Sequence, residues 1–197
     1  MSNYHRAQDH FGRRAKKEGK AARSIYKLEE MDARWRLLGA GDVVLDLGCA
    51  PGSWMQYAAT KVGPKGRVLG YDLKPISVSL PAHAEARVGD AFAIPDALLP
   101  EKVDVVLSDM APNTIGDHGT DAARSAALAE RALDIAERIL APGGNFVVKV
   151  LEGRDLPEIV RQMRKRFAKV EQLRPEATRK RSTEIFLVGL SKVGAPT

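Results

Sequence analysis

The chain has one cysteine among 197 residues, so neither a disulfide framework nor a cysteine-rich zinc cluster is available to it. No apolar run approaches the roughly 18 residues that a membrane-spanning helix needs, and the polar, basic N-terminus lacks the apolar core of an export signal. These absences exclude secreted disulfide scaffolds and membrane-spanning proteins. They favour a soluble cytoplasmic protein, and a hydrophobic content of 44% is enough for one domain of ordinary size.

The positive charge is concentrated at one end of the chain. Residues 1–27 carry eight Lys or Arg against two acidic residues, and this excess equals the whole net charge of +6. A basic segment on an otherwise neutral domain indicates a polyanionic partner, most simply a nucleic acid, because each neutralised phosphate releases counterions. A disordered, solubilising tail is the alternative that charge alone leaves open. We interpret residues 1–21 as a basic N-terminal arm and residues 22–197 as a single domain.

Residues 43–54 combine a β-branched and leucine run with a glycine-containing turn, ahead of a helical pattern. The pattern predicts a buried parallel strand that turns tightly into a helix, with Asp46, Gly48 and Gly52 at the turn. In open α/β sheets a nucleotide-like ligand binds at such a turn, since glycines let the backbone approach it closely. Plain turn formation by the glycines and capping by Asp46 are the alternative.

The turn does not have the G-x-G-x-x-G pattern that cradles the pyrophosphate of a dinucleotide. Ala50 stands in the second glycine position, and Pro51 removes an N–H group that an anion would need. A cofactor without phosphates fits better, and S-adenosylmethionine has an ammonium and a sulfonium that suit Asp46. Asp72 closes a second strand twenty residues after Gly52, where its carboxylate can accept both hydroxyls of an adenosine ribose.

Two further strands are expected to end at the same edge of the sheet. Residues 85–88 lead to Asp90, which could accept a hydrogen bond from an adenine amine or act as an N-cap. Residues 103–108 lead to Asp109, and the Gly-, Asp- and Thr-rich residues 114–120 predict a mobile loop over the site.

Helical periodicity predicts helices over residues 22–38, 53–62, 121–140 and 154–167.

The fifth strand, residues 145–151, contains Lys149 inside an otherwise apolar run. A central parallel strand should be hydrophobic throughout, and violations of this kind gather at functional sites. A lysine that snorkels from an edge strand is the alternative.

The last two predicted strands, residues 169–173 and 184–190, are joined by ten residues without a helical pattern, so they should be antiparallel. If the last strand lies beside the fifth strand, Glu184 starts at the edge where the other strands finish and would meet Asp109 and Lys149. The link carries four basic residues that could hold phosphates there: Arg174, Arg179, Lys180 and Arg181.

Several motifs together resemble the FtsJ/RrmJ (RlmE) family of ribosomal RNA 2′-O-methyltransferases, over about residues 13–191. They are Arg-Ser-Ile-Tyr-Lys-Leu, Asp-Leu-Gly-Cys-Ala-Pro-Gly-Ser-Trp, Ser-Asp-Met-Ala-Pro-Asn, Phe-Val-Val-Lys-Val and Ser-Thr-Glu-Ile-Phe-Leu-Val. The resemblance implies an α/β fold of the Rossmann-like, S-adenosylmethionine-dependent methyltransferase type. Its seven-stranded sheet is mostly parallel, with an antiparallel last strand.

The resemblance also implies roles for individual residues. The catalytic tetrad of the family falls on Lys27, Asp109, Lys149 and Glu184. Its cofactor contacts fall on Gly52, Trp54, Asp72, Asp90 and Asp109. Asp46 and Gly48 are further candidates for cofactor contacts because of their positions at the turn. The implied substrate is a uridine of 23S ribosomal RNA, within the large (50S) ribosomal subunit, and no metal is required.

A ribose 2′-hydroxyl is scarcely ionised at neutral pH, so the site must remove or polarise its proton as the methyl group transfers. Lys149 is the candidate base, since burial and the positive charges of Lys27 and the cofactor favour a neutral lysine. We assign Asp109 to orienting this lysine, Glu184 to holding the lysine or the ribose, and Lys27 to anchoring the substrate.

Other functions are less consistent with these residues. Methylation of transfer RNA or messenger RNA caps would use the same tetrad, but the chain has no additional domain for those substrates. A non-catalytic RNA-binding assembly factor would be expected to lose tetrad or cofactor residues, and all are present. An NAD-dependent oxidoreductase needs a phosphate-binding glycine loop. Pro51 is inconsistent with such a loop because it lacks an N–H group.

Overall fold

A seven-stranded sheet forms the centre of the computed structural model, which describes residues 10–179 and 181–194. The helices are α1 (His10–Lys17), α2 (Ile25–Trp35), α3 (Ser53–Val62), α4 (His118–Ile139) and α5 (Leu156–Arg164). The strands are β1 (Val43–Leu47), β2 (Arg67–Asp72), β3 (Ala84–Val88), β4 (Val103–Ser108), β5 (Leu140–Leu151), β6 (Phe167–Leu173) and β7 (Glu184–Lys192). No helix in these residues is both long enough and apolar enough to cross a bilayer.

The strand order across the sheet is β3-β2-β1-β4-β5-β7-β6. Strands β1 to β5 are parallel wherever they pair, and β7 runs antiparallel to both of its neighbours, β5 and β6. This arrangement confirms the predicted α/β fold with a reversed last strand. The chain leaves β1 toward β2 and later returns to β4 on the other side, which places a crevice beyond the carboxyl ends of β1 and β4.

Apolar cores lie on both faces of the sheet, and the inner strands are accordingly hydrophobic with little alternation. One core joins the sheet to α4 and α5 and includes Phe146, whose ring stacks on Phe167 with 5.9 Å between centroids. The other joins the sheet to α2 and α3 and includes Leu28, Met55 and Phe186. This second core positions the predicted site, because α2 carries Lys27, a residue of the predicted tetrad, and α3 follows the glycine turn.

Several element boundaries differ from the predicted ones, and two of these differences follow from a side-chain contact and a local irregularity. α2 covers Ile25–Trp35 rather than residues 22–38, and the N–H of Leu38 instead bonds to the carboxylate of Asp32 at 3.0 Å. β5 begins at Leu140, five residues before the predicted start, because its pairing with β4 continues across a register shift.

Part of the predicted basic arm packs on the domain. α1 buries Ala15 in a cluster with Tyr26, and the guanidinium of Arg14 lies 4.4 Å from the centroid of the Tyr26 ring. The hydroxyl of Tyr26 donates to the carboxylate of Glu18 at 3.0 Å, which ties the segment after α1 to α2. Arg6, the first basic residue of the arm, lies outside the described residues.

The carboxyl end of α4 is closed by a side chain from β7. The ammonium of Lys192 donates to the main-chain oxygens of Ala136 (3.3 Å), Glu137 (2.5 Å) and Leu140 (2.7 Å). Burial lowers the pKa of Lys192, and the negative charge of Glu137 opposes that shift. The contacts supply donors to the carbonyl groups of Glu137 and Leu140 at the end of the helix, and a second donor to that of Ala136, which also accepts the N–H of Leu140.

We expect Lys192→Met to lower the free energy of unfolding by about 2 kcal/mol, because it removes the donor and keeps the aliphatic stem. Urea denaturation followed by circular dichroism measures the change. Lys169→Met, at an exposed lysine of β6, is the control and should shift the value by less than about 0.5 kcal/mol. Equal losses in the two variants would contradict the capping role.

Candidate active site

Charged side chains from two parallel strands and from the reversed strand meet at one edge of the sheet. Ser108 pairs with Val148, so the residues that follow them, Asp109 and Lys149, lie side by side at the carboxyl ends of β4 and β5. Glu184 begins β7, which runs beside β5 in the opposite direction. The strand register therefore brings these three predicted site residues to one edge.

Two ion pairs organise these charges. The ammonium of Lys149 lies 3.0 Å from the Oδ1 of Asp109 and donates to the main-chain oxygen of the same residue at 2.7 Å. Lys27, from α2, pairs with Glu184. Only 6% of Lys27 and 8% of Lys149 is exposed. Glu184 was expected to contact Lys149 directly, whereas its ion partner is Lys27.

The environment of Glu184 favours its ionised form. Burial alone would raise the pKa of Glu184, but the charge of Lys27 and its hydrogen bond, with a smaller contribution from Lys149, bring the pKa below its ordinary value. The Lys27 ammonium also lies 5.4 Å from the centroid of the Phe186 ring. Because Lys27 lies off the apolar stripe of α2, periodicity gave no sign that this side chain is buried.

Glycine is required at two positions of the turn between β1 and α3. Gly48 has a φ of +79°, and a Cβ there would lie 2.7 Å from the main-chain nitrogen of Met110. Gly52 has a φ of +109°, and a Cβ there would clash with a methyl carbon of Val78. Residues with side chains rarely adopt these φ values, so turn geometry alone accounts for part of the glycine pattern.

A cleft opens between this turn and the ends of β2 and β3. Its lining includes Gly48, Asp72, Leu73, Asp90, Met110 and Leu128. The carboxylate of Asp72 accepts the N–H groups of Ala50 and Lys74 through different oxygens, each at 2.9 Å, and each oxygen keeps a second lone pair for a ligand. Asp90 accepts the N–H of Phe92 at 3.0 Å, so it both caps a turn and lines the cleft.

Asp46 precedes the turn by two residues and has no exposed surface. Neither of its carboxylate oxygens has a hydrogen-bond partner among residues 10–179 and 181–194. Burial raises the pKa of Asp46 well above its ordinary range, and the negative charges of Asp109 and Asp72 act in the same direction. An unpartnered buried carboxyl group is costly, so this position favours a ligand that supplies a positive charge or a hydrogen-bond donor.

The side chain of Trp54 belongs to the core rather than to the cleft. It is 2% exposed, its ring packs against Phe186, and its indole N–H donates to the main-chain oxygen of Ser24 at 2.8 Å. A contact between Trp54 and a cofactor would therefore involve the main chain.

The loop after β4 is held by an acidic side chain. The carboxylate of Asp121 accepts the N–H groups of Ile115 (2.9 Å) and Gly116 (3.1 Å). α4 begins at His118, so the last three of the predicted loop residues 114–120 are helical. These contacts do not support the prediction of a mobile segment across the whole range.

A basic groove leads along the surface to Lys27. Its lining includes Lys16, Lys20, Arg23, Ser24, Lys27 and Arg179. Burial lowers the pKa of Arg23, and the positive charge of Arg179 adds to the effect while Glu184 opposes it. Two guanidinium groups held close enough to affect each other favour an anion beside them.

The remaining basic residues of the β6–β7 link lie next to this groove in the chain. Arg174 donates to the main-chain oxygen of Ser182, which holds the two ends of the link together. Arg181 is exposed. Lys180 lies outside the described residues. No group of three or more His, Cys, Asp or Glu side chains in the described part of the chain is arranged to hold a metal ion.

Solved structures share this arrangement of strands. A crystal structure of a ribosomal RNA methyltransferase from Plasmodium falciparum superposes with a TM-score of 0.76 at 24% identity, over 89% of this chain and all of that one. An rRNA-methylase structure from Clostridium thermocellum gives a TM-score of 0.60 at 18% identity, over 85% of this chain and 97% of that one. The fold is therefore the Rossmann-like fold of methyltransferases.

Sequence comparison defines the family within that class. The model of the FtsJ-like methyltransferase family matches residues 21–192. The ribosomal RNA large subunit methyltransferase E of Desulfatibacillum aliphaticivorans is 49% identical over 190 residues, covering 95% of this chain and 92% of that protein. The protein of the same name from Bdellovibrio bacteriovorus is also 49% identical, covering 94% of this chain and 97% of that protein. The chain belongs to the FtsJ-like methyltransferase family.

The raised pKa of Asp46 gives a pH dependence that can be measured on the protein without ligand. The folded state holds the carboxyl proton more tightly than the unfolded state, so the stability contributed by this residue falls as the pH rises above the unfolded pKa, near 4. Asp46→Asn mimics the protonated form. The free energy of unfolding of Asp46→Asn minus that of the wild type should therefore increase between pH 5 and pH 8, by at most about 1.4 kcal/mol per pH unit.

Urea titrations at four pH values measure this difference. Asp134→Asn, at an exposed position of α4, controls for the general effect of replacing an acid by an amide. A difference between Asp46→Asn and the wild type that does not change with pH would contradict the assignment.

Proposed function

We propose that this protein uses S-adenosylmethionine to methylate the ribose 2′-hydroxyl of a uridine in the 23S RNA of the large ribosomal subunit. The observation that carries the proposal is the meeting of Lys149, Asp109, Lys27 and Glu184 at one sheet edge, beside the cleft that Met110 lines. Relatives named as methyltransferases of large-subunit ribosomal RNA, at 49% identity, support the choice of substrate. Action on ribosomal subunits implies a cytoplasmic location.

The residues of the cleft fit S-adenosylmethionine. Asp46 lies buried behind the turn rather than on the cleft wall, where its unpartnered carboxyl group favours a positively charged ligand nearby, and Pro51 makes the turn a poor site for phosphates. Asp72 would accept the ribose hydroxyls, Asp90 the adenine amine, and Asp109 would lie near the methionine end. When bound, the cofactor supplies a methyl group made electrophilic by its sulfonium.

Lys149 is the base in this proposal. A neutral lysine has two N–H donors and one lone pair. One donor bonds to the main-chain oxygen of Asp109 at 2.7 Å, and the Oδ1 of the same residue lies 3.0 Å from the nitrogen as its ion partner. The lone pair is then available for the proton of the 2′-hydroxyl, and Asp109 fixes its direction.

Lys27 and Glu184 hold the target nucleotide in this proposal. Their ion pair is nearly buried and lies at the end of the basic groove, so a phosphate entering the groove reaches the Lys27 ammonium. Glu184 can accept a hydrogen bond from a ribose hydroxyl. Most of the rate enhancement then comes from alignment of hydroxyl, methyl carbon and sulfur.

Methyl transfer onto large-subunit particles from cells that lack this enzyme tests the proposal. Labelled S-adenosylmethionine should mark one ribose of 23S RNA, identified by mapping the modified nucleotide. Labelling of transfer RNA or messenger RNA caps instead, or of no RNA, would overturn the assignment of substrate.

Single-turnover kinetics on the same particles test the base. Lys149→Ala should slow methyl transfer by about 10²- to 10⁴-fold, because it removes the amine that takes the proton in this proposal. Lys169→Ala, at an exposed lysine of β6, is the matched control and should retain wild-type rates. A rate for Lys149→Ala within a few fold of the wild type would refute the base assignment.

The groove can be tested through the salt dependence of RNA binding. Arg23→Ala and Arg179→Ala should each weaken binding at every salt concentration and reduce the slope of log affinity against log salt by about 1. Arg161→Ala, on α5 at the opposite face of the sheet, is the control. Unchanged slopes in both groove variants would argue against phosphate contacts there.

A further inference from the structure

The helix that carries Lys27 is fastened to the helix that follows the cofactor turn. The hydroxyl oxygens of Ser24 and Ser53 are 2.8 Å apart, and the indole N–H of Trp54 donates to the main-chain oxygen of Ser24 at 2.8 Å. Ser53 directly follows Gly52, and Ser24 directly precedes α2. The contacts therefore join the last residue before one helix to the first turn of the other.

The same Ser24 oxygen has a second donor. The main-chain N–H of Lys27 bonds to it at 3.0 Å, so Trp54 and Lys27 share one acceptor. The indole is 2% exposed and Ser53 is 2% exposed, so water cannot readily replace either contact. A movement of the first turn of α3 must therefore move Ser24, and the first turn of α2 with it.

An aromatic pair connects this contact to the catalytic strands. The ring of Trp54 lies 5.7 Å from that of Phe186 at an angle of 39° between planes. On β7, Phe186 is the partner of Lys149, and the Lys27 ammonium lies 5.4 Å from its ring centroid. Both tetrad lysines are thus adjacent to one ring that Trp54 supports.

We infer that the indole of Trp54 is a positioning group that couples occupancy of the cofactor turn to the placement of Lys27, and hence to RNA binding. The inference rests on the proposed function, because that function places the cofactor at the turn before α3 and RNA at Lys27 on α2. Packing against Phe186 alone would need only a ring. The N–H of Trp54 is directed instead at the oxygen that begins the helix of Lys27. Linkage then requires RNA to strengthen cofactor binding by the same factor as cofactor strengthens RNA binding.

Trp54→Phe removes the N–H donor and keeps an aromatic ring on Phe186. Trp35→Phe, at the other tryptophan and at the far end of α2, is the matched control. S-adenosylhomocysteine is titrated by calorimetry into the free protein and into the protein loaded on large-subunit particles. In the wild type and in Trp35→Phe we expect the loaded protein to bind it about tenfold more tightly.

In Trp54→Phe the ratio of the affinity of the loaded protein to the affinity of the free protein should fall toward one. The affinity of the free protein for S-adenosylhomocysteine should stay within about twofold of the wild type. Turnover at saturating substrates should fall by about tenfold with little change in KM for the cofactor. A merely structural role would lower stability and leave the ratio intact. Wild-type coupling in Trp54→Phe, or no coupling in the wild type, overturns the inference.

A measurement on the wild-type protein covers the case in which Trp54→Phe does not fold. With two tryptophans in the chain, the indole region of a ¹⁵N–¹H spectrum has two signals, and Trp35→Phe identifies them. Addition of S-adenosylhomocysteine should shift the Trp54 signal, and an unshifted signal overturns the inference. The Trp54 signal could shift, and the coupling between S-adenosylhomocysteine and particle binding could be present, in a protein that does not methylate ribosomal RNA. That result would count against the proposed function and not against the inference.

Discussion

Burial of four charges at one sheet edge is the constraint on which the site depends. A charge removed from water is tolerated only beside an opposite charge with good geometry, so each lysine must have its own carboxylate. Lys149 and Asp109 come from neighbouring parallel strands, whereas Lys27 and Glu184 come from α2 and β7. The second pair therefore requires that β7 enter the sheet reversed, since only that direction places Glu184 at the edge where β4 and β5 finish.

The signals that predicted the fold are local. Strand periodicity and the ten-residue link before Glu184 predicted seven strands with an antiparallel last pair, whereas the place of the last strand beside the fifth was a condition that the family resemblance supported. Lys149 was found because it breaks an apolar run. The burial of Lys27 could not be found in this way, because the groups that cover it come from distant parts of the chain. The same holds for the end of α2, where Asp32 accepts a main-chain N–H that periodicity would assign to the helix.

The acidic residues around the glycine turn show a different limit of sequence reasoning. Strand ends and spacing selected both Asp46 and Asp72, yet they have opposite environments. Asp72 accepts two main-chain N–H groups and braces the turn, while Asp46 is buried with no partner among the described residues. Spacing identifies which residues reach an edge, but the hydrogen bonds that each one makes depend on the folded turn around Pro51. The indole of Trp54, likewise, is part of a recognised motif but faces the core.

β7 follows every other described strand in the chain, yet it lies inside the sheet between β5 and β6. During translation, Asp109 and Lys149 leave the exit tunnel well before Glu184. In the interval β6 has no neighbour with which to pair, and β5 presents an open edge. The nascent protein thus has three of the four charges, but only one of the two ion pairs, until the final hairpin inserts. Completion of the sheet and formation of the second ion pair are then one event.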